Sequence, residues 1–156
     1  MVAASERRYV RQMRIVERQF IAAPPEIVWD LTVDVVNLPA VTPTMTRVEP
    51  LEPGPIGVGS RVRITQPMQR PAVWTVTRVD PFIEFAWRRS LLAGAMTGSH
   101  RLEPVNDGTL NELEIKLVGP AGSLIGALAG RLIRRTLRTE NEGLRKRAEE
   151  LAAEER

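Results

Sequence analysis

The feature that most constrains this chain lies at its end. After Gly119-Pro120, the sequence from Ala121 to about Ala153 reads as a single helix. Leu124, Ile125, Leu128, Leu132 and Thr136 fall on one stripe, and Leu137, Leu144, Ala148 and Leu151 continue it. Arg131, Arg134, Arg135 and Arg138 take much of the remaining surface. A helix this long with a single apolar stripe must lie against something large. In a chain of 156 residues, the other elements have to supply that surface.

The preceding sequence reads as the sheet that does so. Met13 to Ala22 is a strand whose buried side is either Ile15/Ile21 or Val16/Phe20. Pro24 and Pro25 end it, because proline gives a ladder no donor and suits a first helical turn. Ile27, Val28 and Leu31 then share a helical face, with Trp29 beside them and Glu26 at the dipole's positive end. Asp34 and Asn37 are turn or capping residues, and Pro39 limits a second helix to about one turn. From Met45 the period is two. "MTRVEPL", "RVRITQ", "AVWTVTRV", "FIEFAWRRS", "AMTGSHRLEPV" and "TLNELEIKLV" are strands, separated by turn sequences that include a strong hairpin signal at Asn106–Gly108. Consecutive strands with short turns predict an antiparallel meander.

Alternation assigns the faces. Val62, Ile64, Leu113, Ile115 and Leu117 face the final helix, and so do Trp74 and Val76, then Ile83, Phe85 and Trp87, then Met96, Gly98, His100 and Leu102. A bulge would reverse part of a strand, and bent sheets use bulges. The aromatics either fill a solid core or line a pocket. Glu84, Glu112 and Glu114 alternate with apolar residues and belong to the wet face. Glu140 and Asn141 interrupt the helix stripe, so one of them either points inward or marks a solvated stretch.

Several chemistries are excluded by count. The chain has no Cys, which removes disulfides, thiolate metal sites and a Cys nucleophile. His100 is the only histidine; it is a satisfied core residue, an exposed one, or a general base, and a His-rich metal site is impossible. No cofactor is expected. "GPIGVGS" precedes a strand, whereas a phosphate loop needs a following helix N-terminus, so it is a turn. The net charge is +3, acids nearly balance the arginines and aromatics are 4%, which disfavours nucleic acid. The arginines of the final helix form a solvated face or touch anionic membrane transiently. The first residues are charged, not an apolar signal region, and a soluble cytoplasmic protein is expected. We expect an N-terminal extension over 1–12, one domain over 13–153 and a tail over 154–156.

The order of elements, "APPEIVWDLTVD" at Ala23–Asp34, "VGSRVRI" at Val58–Ile64 and "HRLEP…DGT" at His100–Thr109 resemble the START-like superfamily, in its polyketide cyclase/dehydratase and lipid-transport branch. The resemblance implies an α+β helix-grip fold: a bent antiparallel sheet of six to seven strands wrapped around the last helix, with a short helix pair after the first strand. It also implies an apolar cavity for a hydrophobic small molecule such as a lipid or polyketide. On the assigned faces its lining would be Trp74, Val76, Phe85, Trp87, Met96, His100, Leu113, Ile115, Leu128, Leu132 and Glu140. Family members often carry a tryptophan after the Asn-x-Pro turn; Ala40 and Val41 stand there instead. The main expectation is a binding protein. The alternatives are an aromatase/cyclase or dehydratase with His100 as proton carrier, and a partner-binding module using the final helix.

Overall fold

A computed structural model describes residues 11–156, which leaves most of the expected N-terminal extension outside the described residues. Strand β1 (Gln12–Ile21) already includes Gln12. The two prolines stop it, and α1 (Pro25–Val33) begins with Pro25 in its first turn. α1 buries Ile27, Val28, Trp29 and Thr32. The Thr32 hydroxyl is satisfied by donating to the Val28 carbonyl at 2.8 Å. A 3-10 turn at Val35–Asn37 follows, where Asn37 Nδ2 donates to Asp34 Oδ2 at 2.8 Å. α2 (Leu38–Val41) is a single turn around Pro39.

Six more strands complete the sheet: β2 (Arg47–Pro50), β3 (Arg61–Thr65), β4 (Ala72–Asp80), β5 (Glu84–Leu91), β6 (Gly94–Val105) and β7 (Gly108–Val118). The spatial order is β1-β7-β6-β5-β4-β3-β2 with every neighbouring pair antiparallel. The meander therefore runs from β2 to β7, and the first strand closes against the last. α3 (Pro120–Glu154) crosses the sheet. This is the helix-grip α+β architecture that the sequence predicts. α3 includes Glu154, one residue past the expected domain end.

Pairing resolves the facing of β1. Ile15 stands opposite Ile115, and Met13 opposite Leu117, so the odd-numbered residues share the helix-facing side. Ile15 and Ile21 are accordingly buried, while Phe20 is exposed. In β4 the register shifts between Val76 and Arg78. This bulge lets Val76 face Trp87 and Val79 face Phe85 on the same side of the sheet.

α3 seats on β1 and β7, and glycine makes the close approach possible. A Cβ on Gly126 would overlap the Met13 sulfur, and one on Gly122 would come within 3.2 Å of Leu117. Further along, Asn111 Nδ2 donates to Asn141 Oδ1 at 2.7 Å, and Asn141 Nδ2 donates to the Glu17 carbonyl at 3.2 Å. The Glu17 carboxylate accepts from Arg134 at 2.8 Å and Arg138 at 3.1 Å.

Three sequence expectations need correction. Ile83 is 57% exposed, because it belongs to the turn before β5, where Phe82 adopts φ 64°. Glu84 is on the face opposite Phe85 yet is buried, because Arg78 and Arg101 cover it with ion pairs at 3.2 and 3.5 Å. The first half of the α3 stripe is rotated: Gly122 and Gly126 face the sheet, and Leu124 and Leu128 face outward.

Gly143 and Gly130 give opposite tests of this seating. Alanine in a helix interior normally stabilises by about 1 kcal/mol over glycine. Gly130→Ala should show that gain, since its Cβ would sit 3.7 Å from the Met13 methyl. Gly143→Ala should destabilise instead, since its Cβ would overlap the backbone carbonyl of Val41. Urea unfolding of the two variants measures the difference in sign.

Candidate functional site

Because α3 rests on β1 and β7, the aromatic side chains of β4 and β5 stand across a space from it. That space is a pocket of about 360 Å³. Its sheet wall carries Trp74, Trp87, Met96, Leu113 and Ile115; α3 contributes Ile125, Ala129, Leu132 and Ile133. Trp74 and Trp87 are 5.9 Å apart between centroids, and Phe85 meets Trp87 edge-on at 5.2 Å. Gly98 makes room for this arrangement: a Cβ there would stand 2.9 Å from Trp87 Nε1. The Arg89 guanidinium lies over Trp74 at 5.8 Å, within reach of a cation–π attraction. Arg89, Gln66 and Gln69 make that end of the pocket polar.

A second polar group occupies the other side. Glu140 on α3 and His100 on β6 both line the pocket and also the small space beyond it toward α2. Glu140 Oε1 accepts from the Thr44 hydroxyl at 2.8 Å, and Thr44 is itself 3.0 Å from the Thr42 hydroxyl. Burial pushes the Glu140 carboxyl up to about 7, although the Thr44 hydrogen bond opposes the rise. Burial moves His100 the other way, down to about 4, so its imidazole is neutral at pH 7. His100 Nδ1 is buried with no hydrogen-bond partner among the described residues, and its ring meets Phe85 edge-on at 6.5 Å.

The sequence-predicted residues divide into three groups. Trp74, Trp87, Met96, His100, Leu113, Ile115, Leu132 and Glu140 lie on the pocket wall. Val76 and Phe85 face the same side but are each 1% exposed, packed in the core and not on the wall. Leu128 is a correction: at 81% exposure it is on the outer surface of α3, because the glycine face and not the leucine row meets the sheet. Of the two residues that break the α3 stripe, Glu140 lines the pocket, while Asn141 is buried in its hydrogen bonds to β1 and β7. Arg89 was legible from its parity with Trp87. Thr44 was not, since it sits in an irregular segment with no period to orient it.

This assembly of bent sheet, clasping helix and pocket defines a class. Residues 12–149 match the family described as polyketide cyclase/dehydrase and lipid transport, and the chain belongs to that family. Among solved structures it is similar to the Zhui aromatase/cyclase from Streptomyces sp. R1128, at 22% identity and TM-score 0.71, covering 89% of this chain and 94% of that one. TTHA0849 from Thermus thermophilus is similar at 21% identity and TM-score 0.70, covering 90% and 99%. Major latex-like protein 151 from Panax ginseng shares the fold at 12% identity and TM-score 0.69, covering 88% and 97%. At these identities the likeness is one of fold. No curated protein matches the sequence.

The two shifted groups predict a distinctive stability profile. Glu140 is raised above its ordinary value, so the folded state holds its proton longer, and stability from this group falls as pH rises from about 4.5 to about 7. His100 is lowered, so the unfolded state holds more protons, and stability rises from about 4 to about 6.5. The slopes oppose each other where they overlap. Glu140→Gln keeps an acceptor for Thr44 and removes the falling limb. That variant should gain stability with pH up to about 6.5 and exceed the wild type at pH 8, read from denaturant midpoints across pH.

Proposed function

We propose that the protein binds a hydrophobic small molecule, such as a lipid or a polyketide, in the pocket between the sheet and α3. The observation that carries this reading is the chemistry of the wall. Two indoles, Met96, Leu113 and Ile115 surround about 360 Å³, with polar groups gathered at Arg89, Gln66 and Gln69 and at His100 and Glu140. A pocket of roughly 300–1,000 Å³ with an apolar lining and a few convergent polar groups suits one small ligand. Ligand apolar area removed from water contributes about 25 cal/mol per Å², less the association and ordering terms. The two polar groups orient a ligand that carries oxygen functions at its ends. The family's description and the aromatase/cyclase among similar folds support this choice of chemistry.

Delipidated protein screened against lipids and polyketides by native mass spectrometry and thermal shift tests the reading. A ligand at about 100 times its Kd stabilises by about 2.7 kcal/mol, a Tm rise on the order of 5–10 °C. Ala129→Phe fills the pocket from the helix without removing core, and should abolish the shift while leaving the apo protein folded. Trp87→Ala should weaken binding as well. A panel with no binder, or unchanged binding in Ala129→Phe, rejects the proposal.

A second reading, catalysis on a poly-β-ketone in the same pocket, is favoured by one observation. His100 and Glu140 line one pocket with ionisations displaced in opposite directions. Above about 4 the imidazole is free to accept a proton, and below about 7 the carboxyl has one to give. Cyclisation or dehydration there would show a bell-shaped rate between these values. His100→Ala should lower the rate about 10²–10⁴-fold; full activity in that variant removes His100 from the chemistry.

A further inference from the structure

We propose that the rim of the pocket docks on the surface of an anionic lipid bilayer. Large apolar side chains are exposed at several places, among them Phe20, Val36, Val58, Val73, Phe82 and Ile83, but the three most extensively exposed, Met68, Leu92 and Leu128, lie near the pocket. Met68 and Leu92 are fully exposed, and Leu124, Leu128 and Leu132 are 62%, 81% and 63% exposed. These five belong to three separate elements that the strand pairing brings to one end of the sheet. Met68 lies between Gln66 and Gln69, which line the pocket from the β3–β4 turn. Leu92 is on the β5–β6 turn, whose Ala93 carbonyl packs against Gly119 at the start of α3. The leucines recur every fourth residue along the first half of α3, and Leu132 lines the pocket as well as facing outward. Leu132 thus joins the outward leucine row of α3 to the pocket wall.

Met68 adds an independent sign. It holds φ at 60°, in the left-handed region where glycine or asparagine ordinarily stands. A bulky apolar residue in that conformation, projecting wholly into solvent, is strained and wetted at once. Such outliers cluster at functional sites; Phe82, in the turn before β5, shares the conformation but is less exposed.

Charge identifies the partner. No acidic residue occurs between Glu52 and Asp80, between Glu84 and Glu103, or between Glu114 and Glu140, and these segments include the pocket-lining Gln66, Gln69, Arg89, Ile125 and Leu132. They carry Arg70, Arg88 and Arg89, and on α3 Arg131, Arg134, Arg135 and Arg138. Arg134 and Arg138 are tied to Glu17. Arg131 and Arg135 share the outward face with Leu128 and form no ion pair with another described residue. On α3 itself acids begin only at Glu140, in its second half. Separate apolar tips ringed by arginine match a deformable interface, where apolar side chains enter the acyl boundary and guanidinium groups stay with phosphates. A protein partner would need a matched recess for each tip. No helix among the described residues is long and apolar enough to cross a membrane, so the contact is peripheral. The inference rests on the outer surface and not on what occupies the pocket.

Vesicle flotation tests it, with phosphatidylcholine vesicles compared with vesicles containing phosphatidylglycerol. The wild type should float with the anionic vesicles, release as salt rises, and bind the zwitterionic ones weakly. A basic residue near such a surface contributes about 1 kcal/mol, so Arg131→Gln with Arg135→Gln should weaken binding about thirtyfold. Met68→Ser with Leu92→Ser should weaken it without changing charge. None of these four residues lines the pocket, so thermal melts and ligand-induced Tm shifts should stay as in the wild type. Failure to bind anionic vesicles, or equal binding by both variants, overturns the proposal. Retention on polyglutamate without vesicle binding would point to an acidic protein and also overturn it. So would a wild-type dimer, seen by sedimentation, that the Met68/Leu92 variant converts to monomer without vesicle binding.

Discussion

The seating of α3 on β1 and β7 sets the terms for the rest of the molecule. Leaving space inside a fold forfeits dispersion contacts that a packed interior would make. The helix-grip arrangement sustains that loss because α3 is anchored elsewhere. Glycine brings its first half close to Met13 and Leu117. Asn141 ties its middle to Asn111 and to the β1 backbone. Glu17 holds Arg134 and Arg138 at the sheet edge. Toward its end, Leu144 and Ala148 join the core with α1. With the helix fixed along one side, the indoles of β4 and β5 meet each other but face only smaller side chains from α3.

Carboxylates play two roles that burial and partnership separate. Glu112 and Glu114 stand on the outer face of β7 and bind Arg18 and Arg14, while Glu84 is covered by Arg78 and Arg101. Each has a guanidinium counter-charge. Glu140 has only a hydroxyl for company, and the buried setting favours its neutral form. The same reasoning keeps His100 uncharged at pH 7. At pH 7 this side of the pocket therefore carries at most the partial charge of Glu140.

The strands and the long helix were legible because their periods differ and their turn residues are strong. The two prolines, the Asn-Asp-Gly hairpin and the Gly-Pro stop all fall where elements change. Facing was legible wherever a strand ran straight. It failed at Ile83, where the chain is still turning, and at Leu128, where glycine competes with leucine for the sheet. The depth of Val76 and Phe85 was not legible at all, since parity gives a side and not a distance. Thr44 joined Glu140 across ninety-six residues of sequence, a relation that no local pattern encodes.

Strand β7 has a position no other strand shares with the pocket wall. It is paired along its whole length with β6 and along most of it with β1, and α3 lies over it. Backbone amides held on two sides and roofed by a helix open only with the whole domain. The turns at Met68 and Leu92 have no such cover. Among the described residues, the strand under Leu113 and Ile115 should thus exchange its amide hydrogens slowly, and the turns at Met68 and Leu92 quickly. On the proposed reading, a ligand exchanges where cover is least, while the foundation beneath it stays closed.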